Sequence, residues 1–196
     1  MTINTDDMIH SILNSLSRID HIKPTDIPNI DLYMDQVTTF MESHLSASKR
    51  YPEDKILTKT MINNYTKNEL LPPPVKKKYS KEHLLVMVFI YYFKGIMSIT
   101  DIQALLNPLT DKYFHSKENF NIEALYNEVF SLEKLQVDKI QQDILDKYNT
   151  SLTTFAGASQ EDLEFLQLFS FICLLSFDVY VKKQLIEKLL DELPKK

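Results

Sequence analysis

Three consecutive prolines, Pro72, Pro73 and Pro74, constrain this chain more than any other feature. Each fixes φ and removes a backbone donor, so no helix runs through them. A helical pattern ends just before them and a second begins just after. Over 58–67 (TKTMINNYTK), Leu57, Met61, Ile62 and Tyr65 share one side of a 3.6-residue repeat, while Lys59, Thr60, Asn63, Asn64 and Lys67 share the other. Thr58 is the expected N-cap. Beyond the prolines, residues 75–79 carry Lys76, Lys77 and Lys78 and read as a short strand or wing. Ser80 then caps a helix to about residue 94 whose run 84–90 is wholly apolar, so it must be buried on most sides. Gly95 is the expected stop of that helix.

The rest of the chain also reads as helix. Met8, Ile9, Ile12, Leu13, Leu16 and Ile19 give helical spacing over 6–19, and Pro24 and Pro28 break it. A second helix is expected over 31–42, with Leu32, Met34, Val37, Phe40 and Met41 on its apolar side. Pro52 marks the loop that follows. A short helix is expected from a Thr100–Gln103 capping box to Pro108. Two long helices close the chain. The first spans 121–148 and is expected to break near Ser131, where its apolar stripe changes register. The second starts at Ser159, with Asp162 completing the cap, and runs to about 193. Its first half is apolar all round and its second half amphipathic, which predicts a central core helix or an oligomer interface over 165–180. The expected class is all-α with at most a small hairpin.

Composition narrows the function. Gly95 and Gly157 are the only glycines, which argues against a phosphate-cradling loop. Cys173 is the only cysteine, so neither an internal disulfide nor a thiolate cluster within one chain is available, as fits a reducing cytoplasm. The first residues are acidic and lack the pattern of a signal peptide. The longest uncharged apolar run, 165–177, is shorter than the ~20 residues of a membrane span. A cytoplasmic protein without a membrane partner is expected.

The net charge of −5 is unevenly placed. Residues 49–94 hold ten basic and four acidic side chains, a balance of +6 that leaves −11 elsewhere. A basic centre in an acidic chain is the pattern of an anion-binding module attached to something else. Enzyme chemistry finds no support. His10, His21, His44, His83 and His115 are scattered and read as surface or cap residues; Asp31 and Asp35 are a carboxylate pair at helical spacing more typical of a solvated face; no nucleophile motif occurs. No cofactor and no metal are expected.

A helix in the major groove needs short polar side chains that read base edges, and a flanking turn needs cations for phosphates. Lys59, Thr60, Asn63, Asn64 and Lys67 supply the first, and Lys76, Lys77 and Lys78 the second. The order of these residues resembles the MerR-type winged helix-turn-helix. The resemblance rests on Thr60-Met61-Ile62-Asn63-Asn64-Tyr65, Leu70-Leu71-Pro72-Pro73, Tyr79-Ser80-Lys81-Glu82-His83-Leu84 and Ser98-Ile99-Thr100-Asp101-Ile102. It implies a winged domain over 31–110, between an N-terminal helix and linker (1–30) and a helical bundle or dimerisation region (111–196). It also adds Tyr65 and Tyr79 to the candidate DNA-contact set. Asparagines stand where that family commonly has an arginine, and Glu69 stands where a glycine normally ends the helix.

The segments IPNIDLYMDQV (27–37) and LTKTMINNYTK (57–67) are similar to an uncharacterised bacterial family, domain of unknown function 1836, whose members are usually described as regulators. The expected function is therefore a DNA-binding transcriptional regulator, with double-stranded DNA as partner and the acidic half forming a homodimer or receiving a protein or small-molecule effector. Tyr91, Tyr92, Phe165 and Phe169 are candidates for lining an effector pocket. The alternative is a non-catalytic protein-interaction module that keeps a winged fold without binding DNA, which Glu69, the missing arginine and the acidic total favour.

Overall fold

The computed structural model describes residues 5–16 and 22–194. It is mainly α-helical: α1 (Thr5–Leu16), α2 (Met34–Leu45), α3 (Lys59–Lys67), α4 (Lys81–Phe93), α5 (Ile99–Tyr113), α6 (Ile122–Ser151) and α7 (Gln160–Asp191). Two short strands, β1 (Leu32–Tyr33) and β2 (Lys78–Tyr79), pair antiparallel, with Leu32 opposite Tyr79 and Tyr33 opposite Lys78. The expected all-α class with a very small sheet is what the chain adopts. It forms two compact units that divide between Ser131 and Leu132.

The first unit is built around α4. Every residue from His83 to Ile90 is buried, as the unbroken apolar run requires. Val37 and Met41 of α2, Ile62 and Tyr65 of α3, Ile102 and Leu106 of α5, and Tyr126 and Phe130 of α6 belong to the same core. The Tyr126 hydroxyl donates to the carbonyl of Ile22 at 2.6 Å, fastening the start of the described segment to α6.

Several local expectations need correction. The helix expected over 31–42 is shifted: 32–33 form β1 and α2 starts at Met34. Tyr33 precedes the helix in extended conformation, and its backbone N–H donates to Gln36 Oε1 at 2.9 Å. Asp31 thus lies before the helix, and the expected carboxylate pair does not share a helix face. The α5 cap is Ser98 with Asp101, not Thr100 with Gln103: the Asp101 N–H donates to Ser98 Oγ at 3.1 Å. Pro108 sits inside α5 rather than ending it. A proline forfeits a single ladder bond, and buried Ile102, Leu106 and Thr110 hold the helix through it. Gly95 is not a left-handed stop, since no described glycine has positive φ; Lys94 closes α4 in helical conformation. Residue 19, expected in the first helix, lies outside the described residues.

The second unit is a two-helix hairpin made by α7 and the part of α6 beyond Ser131. α6 runs continuously through position 131, where a break was expected. Ser159 caps α7 as expected, its hydroxyl accepting from the Asp162 N–H at 3.2 Å. The hairpin is joined by Phe171 against Tyr148, with ring centres 5.3 Å apart, and by Gln167 Nε2 donating to the carbonyl of Leu152 at 2.7 Å. Lys147 of α6 lies 3.9 Å from Asp178 of α7. α7 is not a core helix. Phe171 is its one fully buried residue, whereas Phe165, Phe169, Ile172 and Phe177 are exposed. An 18-residue window of α7 has mean hydropathy 1.6, so the helix is long and apolar enough to cross a membrane by length and composition.

Candidate nucleic-acid interface

α3 forms where its sequence asks for it. The Thr58 hydroxyl accepts from the Met61 N–H at 3.1 Å, satisfying one of the free donors of the first turn. Ile62 and Tyr65 are buried, and Lys59, Thr60, Asn63, Asn64 and Lys67 are exposed. Burial of one stripe leaves the polar stripe facing solvent.

The helix ends in a Schellman motif. The Leu70 N–H donates to the Tyr65 carbonyl at 2.8 Å and the Glu69 N–H to the Thr66 carbonyl at 3.1 Å. This places Glu69 at φ 56°, the left-handed region that glycine occupies without cost. Leu70 and Leu71 then turn into the core, and the prolines carry the chain out to the lysines.

The lysine segment is a two-residue turn. Val75 and Lys78 exchange backbone hydrogen bonds at 3.1 and 2.9 Å, and Lys76 and Lys77 between them have φ of 50° and 65°. Positive φ at both central positions is the type I′ arrangement, in which the backbone twist suits antiparallel strands. Lys76 and Lys77 are exposed at the tip. Lys78 is half-buried, with its ammonium 5.1 Å from the centre of the Tyr33 ring.

His83 anchors this turn from beneath. Its Nδ1 accepts from the Ser80 N–H at 3.0 Å and lies 2.8 Å from Ser80 Oγ, while Nε2 is 3.4 Å from the Pro73 carbonyl. That set suits a neutral ring with the proton on Nε2. Tyr79 and Phe114 pack edge-on against it at 5.5 and 4.8 Å between ring centres. Burial lowers its pKa to about 4. His83 is thus neither a surface group nor a simple cap, as the sequence suggested; it ties α4 to the proline segment.

Two features modify the expected contact set. Tyr65 and Tyr79 are buried in the core, and burial raises both phenol pKa values. They hold the scaffold and do not belong to a contact surface. Lys59 forms an ion pair with Asp35 in the first turn of α2. No sequence signal pointed to this pair, because the two residues are joined only through the fold. A chain of neighbours runs from Lys78 over Tyr33, through the β1–α2 junction to Asp35, and on to Lys59. Among the described residues, Lys67, Lys76 and Lys77 have no acidic partner. Lys81 pairs with Glu123 at 2.8 Å, and Lys94 donates to the Ile56 carbonyl at 2.6 Å with its pKa lowered by burial. Only part of the basic centre is therefore available to an outside anion.

Of the residues named for an effector pocket, Tyr91 pairs with Ser48 through its hydroxyl and Tyr92 packs on Phe130 at 5.6 Å. Phe165 and Phe169 are exposed on α7. Among the described residues, no group of three or more His, Cys, Asp or Glu side chains could hold a metal ion.

The fold and site define a small helical domain with a capped, polar-faced helix followed by a proline-braced basic turn. The chain belongs to the family described as Domain of unknown function (DUF1836), whose model matches residues 22–129. That range takes in β1, β2, α2 to α5 and the first turns of α6, and excludes the α6–α7 hairpin beyond it. No curated protein and no solved structure matches the chain.

Proposed function

We propose that the first unit is a MerR-like winged helix-turn-helix that binds double-stranded DNA, as a transcriptional regulator does. α3 enters the major groove, where Asn63 and Asn64 offer paired donors and acceptors to base edges and Thr60 and Lys67 lie beside them. Lys76 and Lys77 meet phosphates of the flanking backbone. The observation that carries this reading is the exposed polar face of α3, free of apolar residues at Thr60, Asn63, Asn64 and Lys67, together with two unpaired lysines on a tight turn. The protein is not proposed to be an enzyme, and no cofactor enters this reading.

Fluorescence anisotropy with labelled duplex DNA, repeated across a salt series, tests it. Binding should weaken with salt by about 0.9 log units per tenfold salt for each phosphate neutralised. Replacing Lys76 and Lys77 with alanine should flatten that slope by about two phosphates' worth. No binding at low salt, or an unchanged slope in the variant, sinks the reading. Selection from random duplexes would then give the sequence recognised.

A second reading is a protein-interaction module that does not bind DNA. Two observations favour it: Asp35 already neutralises Lys59, and Glu69 sets a negative charge at the end of α3. A stable protein partner captured with no nucleic acid in the preparation would support it.

A further inference from the structure

Several polar groups of α3 are already committed within the fold. The Thr58 hydroxyl caps the helix, and Thr66 Oγ1 donates to the Ile62 carbonyl at 3.2 Å. Lys59 is paired with Asp35. The side-chain amides of Asn63 and Asn64 are different. Both residues are exposed, and among the described residues neither amide has a hydrogen-bond partner. Each amide carries an acceptor oxygen and a donor nitrogen on one planar end.

Helix geometry turns both amides to one surface. At 100° per residue, Asn63 and Asn64 point about 50° to either side of a common line along α3. Thr60 and Lys67 lie within about 10° of that line, whereas Lys59 lies about 110° from it. Thr60 is short, so it does not hold the helix away from the floor of a groove. α3 contains no arginine.

We infer that Asn63 and Asn64 each read an adenine in the major groove, so that the DNA bound by this protein has two neighbouring A·T pairs at its core. The inference rests on the DNA reading and names the chemistry of its target.

The edges of the bases select adenine. In the major groove adenine presents the N7 acceptor beside the N6 donor, and a single asparagine amide satisfies both at once. Guanine presents two acceptors there, N7 and O6, so the amide oxygen would face one of them without a proton between. Cytosine and thymine each offer one polar group only. The side chains that read guanine are Arg and Lys. On the contact line of α3 that leaves Lys67, its last residue, and a recognition helix reads bases with its earlier turns. The two amides diverge by about 100° while lying only about 1.5 Å apart along the axis. They therefore address neighbouring pairs, one toward each strand, and not the same base. A correct bidentate pair discriminates against the wrong base by roughly five- to a hundredfold.

Selection from random duplexes with the full chain, followed by anisotropy on the enriched duplex, tests it. The enriched sequence should hold two adjacent A·T pairs at its core. Replacing either core adenine with 7-deazaadenine, in which carbon takes the place of N7, should weaken binding about fivefold or more. Replacing it with 2,6-diaminopurine, which alters the minor-groove edge, should leave affinity unchanged. Asn63→Ala and Asn64→Ala should each lower affinity by a similar factor and relax the preference at one core position, with the salt slope of the wild type retained. Each variant should also be indifferent to 7-deazaadenine at the position it no longer reads. Circular dichroism verifies that these surface variants keep their helix content. A core of G·C pairs, indifference of the wild type to 7-deazaadenine, or a loss with diaminopurine overturns the inference and leaves DNA binding standing. Absence of binding to any duplex at low salt overturns the DNA reading itself, and the inference with it.

Discussion

The Leu70 N–H donates to the Tyr65 carbonyl at 2.8 Å, and this bond ends α3 at the price of a left-handed Glu69. A residue with a side chain in that region costs roughly 1–2 kcal/mol relative to its preferred conformations. Glu69→Gly should therefore stabilise the protein by about 1 kcal/mol, a rise of about 2–4 °C in Tm for a chain of this size. Thermal unfolding followed by circular dichroism measures it. A lower Tm would mean that the Glu69 side chain makes a stabilising interaction that outweighs its backbone strain.

The Asp35–Lys59 pair gives a test of function separate from stability. Both side chains are largely exposed, and such pairs contribute at most about 1 kcal/mol. Asp35→Asn should thus shift Tm little. In the DNA reading it should raise affinity for duplex at low salt several-fold, because it removes a negative charge and releases Lys59 for phosphate. Unchanged or weaker binding would place Lys59 outside the contact.

His83 predicts a pH dependence. Its folded pKa is lowered to about 4 from a usual 6.5, chiefly by burial. Below pH 6.5 the unfolded chain takes up a proton that the folded chain refuses, so stability falls as the pH drops. The loss from this group spans about pH 6.5 to 4 and reaches about 3 kcal/mol at its end. Urea unfolding at pH 7, 6, 5 and 4.5 reads it. His83→Gln, which can still accept from the Ser80 N–H, should remove this contribution from the slope. An identical slope in the variant would assign the effect to other groups.

Lys76 and Lys77 separate turn geometry from charge. Asn-Gly is the preferred pair for a two-residue turn with positive φ at both positions. Lys76→Asn with Lys77→Gly should therefore raise Tm while flattening the salt dependence of DNA binding by about two phosphates' worth. Loss of stability would show that the lysines make contacts the turn needs. A raised Tm with unchanged salt dependence would remove both lysines from the proposed interface.

Much of the first unit was legible because its signals are local. Thr58 caps α3, its apolar and polar stripes separate as the 3.6-residue repeat demands, and the run 84–90 is buried because no face of it is polar. The misreadings arose where tertiary contacts override local preference. Leu32 and Tyr33 suit a helix by apolar spacing, yet pairing with Lys78 and Tyr79 draws them into a strand. Pro108 reads as a terminator, but packing on both sides carries α5 through it. The Asp35–Lys59 pair joins two separate helices and the Pro73–His83 contact closes across the lysine turn, both beyond the reach of periodicity. On α7, all-round hydrophobicity identifies a helix that wants covering but does not specify what covers it.

Five described residues other than glycine, namely Glu69, Lys76, Lys77, His115 and Phe155, sit at positive φ. A chain this poor in glycine thus holds a reserve of stability reachable by single replacements outside the core. Its practical use is as a reinforced background. Disabling changes to α3 or to the hairpin can be introduced into such a scaffold, and a lost interaction can then be told apart from a lost fold.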